Sequence, residues 1–400
     1  MAFVLAVARS ECEVRAAEAI YAGYVVHCPL GGYVWQAIHY LHGLRDAGVE
    51  PFFYEDTRHT WEAFDPIHRT SGTDYEAGLA LAGEAFGRAG FGDSWAFFDA
   101  ERNKWAGAGR DATYEAFAKA RILVNAGGVH RFGAPERAGK TNVYIDMDPA
   151  YTQIRLAGGD RVLRELLHEH DVHFTFGENI GSSNCRIPTG GIRWHPTRQP
   201  VAVDLWATGP VPAEALFTTI GTWSSGGGRD VELGGERYSW RKREEWEKIV
   251  DLPRTSGVPF VLAMEVKDST DLAWLEANGW SVRDPIAISR DADRYREFVR
   301  GSRAEFTTAK DVNVRLRSGW FSDRSACYLA AGRPVVTQDT GFDELLPVGE
   351  GLFAWRDLAG AHAAVHAIAD EPLRHGAAAR RIAEEYFAAP RVIRDILRVI

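Results

Sequence analysis

Between Lys310 and Phe342 the chain gathers side chains that can hold an anion. Lys310, Arg315, Arg317 and Arg324 concentrate positive charge in a chain whose formal net charge is -9. Ser318, Ser322, Asp323 and Ser325 add hydroxyl and carboxylate groups around the start of a predicted helix. The free N–H groups at a helix N-terminus suit phosphate. Lys and Arg beside them would add charge-assisted hydrogen bonds to such an anion. Asp339, Thr340 and Gly341 follow a short apolar run, in place to touch whatever carries the anion. Two further groups could take a proton from a hydroxyl: Asp148 and His130. Asp148 precedes Pro149 and equally suits a turn, and His130 equally suits an exposed loop.

These groups need a frame. Ser322 or Asp323 can cap a helix running to Ala331; Gly332 ends it and Pro334 bars its continuation. Val335–Thr337 are β-branched and bracketed by turn residues, which predicts a short buried strand. Arg121–Asn125 leads to His130, and Thr141–Ile145 leads to Asp148. In an open α/β sheet, ligands bind just past the carboxyl ends of such strands.

Upstream, Tyr24–His27, a tight loop holding Gly31 and Gly32, a helix from Val34 to Ala47 and Pro51–Tyr54 predict a β-α-β opening. Adjacent glycines let a backbone approach a ligand, but the three-glycine dinucleotide spacing is absent, which argues against NAD. Before this unit, Phe3–Ala8 predicts a strand and Val14–Ile20 a short helix. His168, His170 and His173 cluster with Glu169 and Asp171, but at no zinc-binding spacing. Residues 186–200, with three prolines and two adjacent glycines, predict a crossover between domains. Phe217–Thr222 then predicts a strand followed by Trp223, Ser224 and the glycines 226–228, which could cradle a diphosphate or form a surface loop. Arg243–Val250 predicts a helix with Glu244, Glu245 and Glu247 facing solvent.

Composition bounds the answer. Four hundred residues favour two domains, and 46% hydrophobic with 25% charged residues is an ordinary globular balance. The negative charge argues against a nucleic-acid partner. Cys12, Cys28, Cys185 and Cys327 are scattered, which fits a reducing cytoplasm. No run reaches the ~20 apolar residues of an integral membrane segment, and Met1–Ala8 lacks the features of a signal peptide.

Ala331-Gly332-Arg333-Pro334-Val335-Val336, with Asp339-Thr340-Gly341 after it, resembles the nucleotide-sugar signature of GT-B glycosyltransferases. The longer run from Ser318 to Phe342 resembles a bacterial glycosyltransferase family 1-like subgroup. The resemblance implies an α/β GT-B architecture: two Rossmann-like domains facing across a cleft. Residues 1–199 would form the acceptor-side domain, with 1–22 a possible appendage, and 200–372 the nucleotide-sugar domain. Residues 373–400 would form a last helix crossing back to the first domain. It implies metal-independent transfer of a sugar from a nucleotide-diphosphate donor, a co-substrate rather than a cofactor, to a hydroxyl of a small molecule or glycan. Gly31 and Gly32 would border the cleft; Lys310, Arg317, Ser318, Ser322–Ser325, Trp223 and Ser224 would hold the donor; Asp339–Gly341 would touch its sugar. Asp148 or His130 would be the base. The sequence departs from family patterns in two places. Tyr33 stands where inverting plant-type members carry a histidine, and Gly319 and Cys327 stand where many retaining members carry glutamates. The second departure favours inversion. The alternatives are a nucleotide-sugar epimerase and a non-catalytic sugar-nucleotide binder.

Overall fold

The computed structural model of the protein describes residues 18–59, 62–211, 214–224 and 229–400. Two mainly parallel sheets dominate it. The first has eight strands, in the spatial order Trp194–Pro196, Val172–Thr175, Thr141–Asp146, Ile122–Ala126, Ala19–Ala22, Pro51–Asp56, Trp95–Asp99 and Lys104–Gly107. Only the last pairing, Trp95–Asp99 with Lys104–Gly107, is antiparallel. The second has six parallel strands, in the order Trp280–Arg283, Phe260–Glu265, Phe217–Thr222, Ala304–Thr307, Val335–Gln338 and Leu352–Trp355. Runs such as Phe260-Val261-Leu262-Ala263-Met264 are apolar without alternation and buried throughout, because helices cover both faces of a parallel sheet.

The opening strand differs from expectation. It is Ala19–Ala22, paired with Pro51–Asp56 on one side and Ile122–Ala126 on the other. Ala19 and Ile20, expected to end a short helix inside an appendage, therefore sit at the centre of the sheet; Phe3–Ala8 lies outside the described residues. Tyr24–His27 forms no strand, and residues 25–28 are a bend. The reason is Glu55, fully buried, whose carboxylate accepts the backbone N–H of Val25, Val26 and His27 at 2.7–2.8 Å. It also meets His27 Nδ1 at 2.5 Å. A buried carboxylate that gathers three amides replaces a β-ladder.

The crossover holds one more strand of the first sheet, Trp194–Pro196, before a turn of 3-10 helix at Val203–Trp206. The chain then returns. Helix Ala389–Leu397 lies against helix Gly31–Asp46, with Val392, Ile393 and Ile396 in the same core as Leu41 and Leu44. Helix Ala292–Arg300 packs on that helix as well, and Trp35 Nε1 donates to the Ala292 carbonyl at 2.7 Å. Glu245, expected to face solvent, is buried and accepts from Gln338 Nε2 at 2.5 Å and from Lys248. Among the described residues no helix is long and apolar enough to cross a membrane.

Candidate active site in the interdomain cleft

The carboxyl end of the second sheet and the start of helix Gly31–Asp46 of the first domain enclose a cavity of about 450 Å³. Two helix N-termini reach it, through Gly32 and Tyr33 from one domain and Asp323 and Arg324 from the other. Trp223, Ser224 and Tyr295 line it too, and Glu265, Lys267 and Ile286 extend it along the second sheet. Gly31 sets the width of this junction. A Cβ there would lie 2.5 Å from Tyr295 Cβ, so only glycine lets the first helix start this close to the second domain.

Helix Asp323–Ala330 starts at the cavity, as its sequence predicts, and Gly332 in the left-handed conformation closes it. Ser322 occupies the N-cap, though its hydroxyl meets Asp323 Oδ1 at 3.3 Å instead of capping the helix. Asp323 Oδ1 accepts its neighbour's amide, Arg324 N–H, at 2.7 Å. Burial raises the Asp323 pKa above its ordinary value. Ser325 is buried and does not line the cavity.

Arg324 borders the cavity but its guanidinium is already engaged. It pairs with the fully buried Glu305 at 2.5 Å and donates to the Ile220 carbonyl at 2.7 Å and Thr307 Oγ1 at 3.1 Å. Burial opposes its charge, yet Glu305 holds its pKa above the ordinary value. Arg324, expected to share in holding the diphosphate, first neutralises Glu305 and ties together two strands, Phe217–Thr222 and Ala304–Thr307. Trp223 is likewise a core residue, donating through Nε1 to Asp271 at 2.9 Å, while one part of it faces the cavity.

Lys242 is the cation that sequence reasoning missed. It is buried, donates to the Thr308 carbonyl at 2.9 Å and lies 5.9 Å from the centre of the Trp320 ring. Burial, with Arg324 and Lys310 nearby, lowers its pKa to about 7. The available signal was Arg241-Lys242-Arg243, a basic run at a helix start, where the helix dipole favours acids.

Asp148 and Lys310 meet across the cleft at 3.0 Å. Asp148 follows strand Thr141–Asp146, and Lys310 occupies the N-cap position of helix Asp311–Leu316. The ammonium lies 3.2 Å from the Trp240 ring centre and 5.0 Å from that of Tyr151. Burial lowers the Lys310 pKa although Asp148 opposes the shift. Trp240 follows a hairpin, Val231–Leu233 with Glu236–Tyr238, that leaves the second domain and packs on helix Tyr151–Ala157 of the first. Its lead-in, glycines 226–228, lies outside the described residues.

His130 does not reach the cleft. It is 1% exposed, its Nε2 donates to the Gly23 carbonyl at 2.7 Å, and its Nδ1 lies 3.8 Å from Asp56. Burial opposes its charge, but Asp56 holds its pKa above the ordinary value. The histidine braces the loop after the central strand, and its expected role as a base is withdrawn.

The remaining predicted donor contacts lie at a seam between the domains. Asn179 Nδ2 donates to the carbonyls of Arg317 and Gly341, each at 3.2 Å, and Asn179 N–H donates to Ser318 at 3.0 Å. Arg317 pairs with Asp339 and Glu344, and Arg356 also holds Asp339. Ser318 donates to Asn313 at 2.8 Å, and Thr340 to the Trp320 carbonyl at 2.6 Å. None of Arg317, Ser318, Asp339, Thr340 or Gly341 lines the cavity. Where contact with the donor was expected, their polar groups meet one another, Arg356 and the first domain. Gly319 explains the missing glutamate there. It has φ +77°, and a Cβ would lie 2.9 Å from Asn179 N. Cys327 is buried against His39, 3.6 Å from Sγ to Nε2.

His170 and His173 are turned to the Leu166 and Leu167 carbonyls, and no trio of His, Cys, Asp or Glu that could hold a metal forms among the described residues.

No family profile matches the sequence, and no curated protein is detectably similar to it. Solved structures are. An alpha-glucosyltransferase in complex with UDP and a 13-mer DNA superposes with a TM-score of 0.56 at 9% identity, over 96% of this chain and 99% of that one. Anabaena Alr3699/HepE in complex with UDP gives 0.52 at 13% identity, over 96% and 100%. AviGT4, a glycosyltransferase involved in avilamycin A biosynthesis, gives 0.50 at 12%, over 96% of each chain. With the two facing sheets and the returning C-terminal helix, these likenesses identify the architecture: the chain has the GT-B glycosyltransferase fold.

Proposed function

We propose that this chain transfers a sugar from a nucleotide-diphosphate donor to an acceptor hydroxyl, without a bound metal and with inversion at the anomeric carbon. One observation carries the reading. A cavity between the carboxyl edge of the second sheet and the first domain receives two helix N-termini, with Arg324 at its wall and Lys242 close enough to feel the Arg324 charge. Helix amides and cations together suit a diphosphate. The part of the cavity near Glu265, Lys267 and Ile286 leaves room for the nucleoside.

The first domain supplies the other half of the chemistry. The acceptor oxygen attacks the anomeric carbon as the bond to the diphosphate breaks, and Asp148 takes the hydroxyl proton. Lys310, 3.0 Å away, holds the carboxylate in place for this step. Lys242 and the helix amides would stabilise the charge that develops on the leaving diphosphate. The absence of carboxylates at positions 319 and 327 supports a single displacement. The net charge of -9 supports a small molecule or glycan as acceptor in preference to nucleic acid.

Two of the similar structures hold UDP, so UDP leads the test. The melting temperature is measured with UDP, GDP, TDP, CDP, ADP and NAD, because a ligand of the folded state raises it by mass action. Stabilisation by at least one nucleoside diphosphate, followed by hydrolysis of a matching nucleotide sugar, is expected. A response to NAD alone, or none, would overturn the reading.

A further inference from the structure

One face of the eight-stranded sheet is incompletely covered. Helix Gly109–Lys119 packs there through Ala116 and Phe117, against Ile20, Phe52 and Tyr54. Between this helix and Pro135–Glu136 remains a cavity of about 400 Å³ that shares no lining residue with the interdomain cleft. Its lining is aromatic. Phe98 and Trp105 stack at 4.3 Å, and the Tyr114 ring stands at 65° to Trp105 with centres 5.9 Å apart. Tyr114 is 54% exposed, a large ring held beside the cavity with half its surface in water.

The polar groups at this cavity are set differently. Arg58 is fixed by Asp56 at 2.7 Å and Glu136 at 2.8 Å, and its Nη2 lies 3.4 Å from the Tyr54 hydroxyl. Glu136 also accepts the Gly133 amide at 2.7 Å. Lys140, half-buried, has the Ala138 carbonyl at 3.4 Å and no ion pair among the described residues. Flat apolar rings beside fixed donors and acceptors complement a pyranose. Its C–H face lies on an aromatic ring, and its hydroxyls meet the charged fork. The volume is that of a small-molecule site and too small for a docked helix.

We propose that this cavity is a second carbohydrate site, taking one or two pyranose units of a glycan through Trp105 and Tyr114, with Arg58, Glu136 and Lys140 binding hydroxyls. Combined with transfer in the cleft, it makes a glycan the acceptor, held at a second point away from the reacting hydroxyl. That last step rests on the reading above; the sugar site itself does not.

The test uses the full chain without nucleotide. Methyl glycosides of glucose, galactose, mannose and N-acetylglucosamine, together with maltotriose and chitotriose, are screened at millimolar concentration by saturation-transfer NMR and titrated by calorimetry. At least one binds, and Tyr114→Ala weakens it about tenfold with an unchanged melting temperature, since the ring is exposed. Trp105→Ala weakens it at least as much, and Lys140→Met by a smaller factor. The proposal is overturned if none of these sugars binds, or if a bound sugar keeps its affinity in both Tyr114→Ala and Trp105→Ala. Because no nucleotide is present, failure here leaves nucleotide binding in the cleft untouched.

Discussion

The cleft and the seam are built from the same kinds of residue, and they do different work. At the cleft, the Asp323–Arg324 helix start lines open volume, Lys242 feels the charges of Arg324 and Lys310, and Lys310 pairs with Asp148. At the seam, Arg317, Asp339, Gly341 and Asn179 have met each other across the domains, and none of them lines that volume. Arg317 and Arg324 lie seven positions apart, and both are arginines amid serines and acids. The difference lies in what each one meets. A polar group whose partners come from its own chain stabilises the fold, and one left facing space is available to a ligand.

The largest effect belongs to the cleft. Asp148→Asn should lower kcat by roughly 10²–10⁴-fold while nucleotide affinity and melting change little, because the side chain is 61% exposed. Single-turnover rates with a nucleotide sugar would check it, and a rate within a few-fold of the parent would remove Asp148 as the base.

Arg324→Ala tests where the two regions blur. It strands the buried Glu305, so a stability loss of about 3–5 kcal/mol is expected, read by urea denaturation. A variant that melts normally yet binds nucleotide poorly would restore Arg324 as a pure ligand contact.

Lys242 sharpens the cleft side through pH. Its folded pKa of about 7 lies below that of an unfolded lysine, about 10.4, so between those values the native state binds fewer protons than the unfolded one. Stability of the nucleotide-free protein therefore rises with pH across that window as far as Lys242 contributes. A bound diphosphate favours the ammonium and takes up a proton above pH 7. Nucleoside diphosphate affinity should fall between about pH 7 and 9, by up to about tenfold per unit, and Lys242→Met should flatten the profile. Calorimetry in buffers of differing ionisation enthalpy would measure the proton uptake; a flat profile in the parent would place Lys242 outside the diphosphate site.

The smallest effect is at the seam. Arg317→Ala removes partly exposed ion pairs and should cost no more than about 1 kcal/mol, with nucleotide affinity unchanged. A large affinity loss would show that the seam opens to the donor.

Local signals carried most of the elements. Gly332 and Pro334 ended a helix where expected, and Val335–Gln338 formed the strand after it. They failed where a distant side chain took over the backbone. Val25 and Val26 are apolar and buried, as a strand would be, but Glu55 holds their amides, and the strand falls at Ala19–Ala22, whose two alanines signal little. The candidate bases separated for the same reason. His130 and Asp148 each follow a buried strand in sequence; His130 folds back onto Gly23, while Asp148 reaches Lys310 of the other domain.

By itself the sequence determined the α/β alternation, the helix starts and stops around Ser322–Pro334, and the chemistry gathered there, because caps, breakers and apolar runs act over a few residues. The tertiary structure alone decided which of those polar groups face the cleft. That depends on partners up to 162 residues away, as between Asn179 and Gly341 or Asp148 and Lys310, and on Glu305 claiming Arg324. A buried charge must be paired, and the first partner within reach satisfies it.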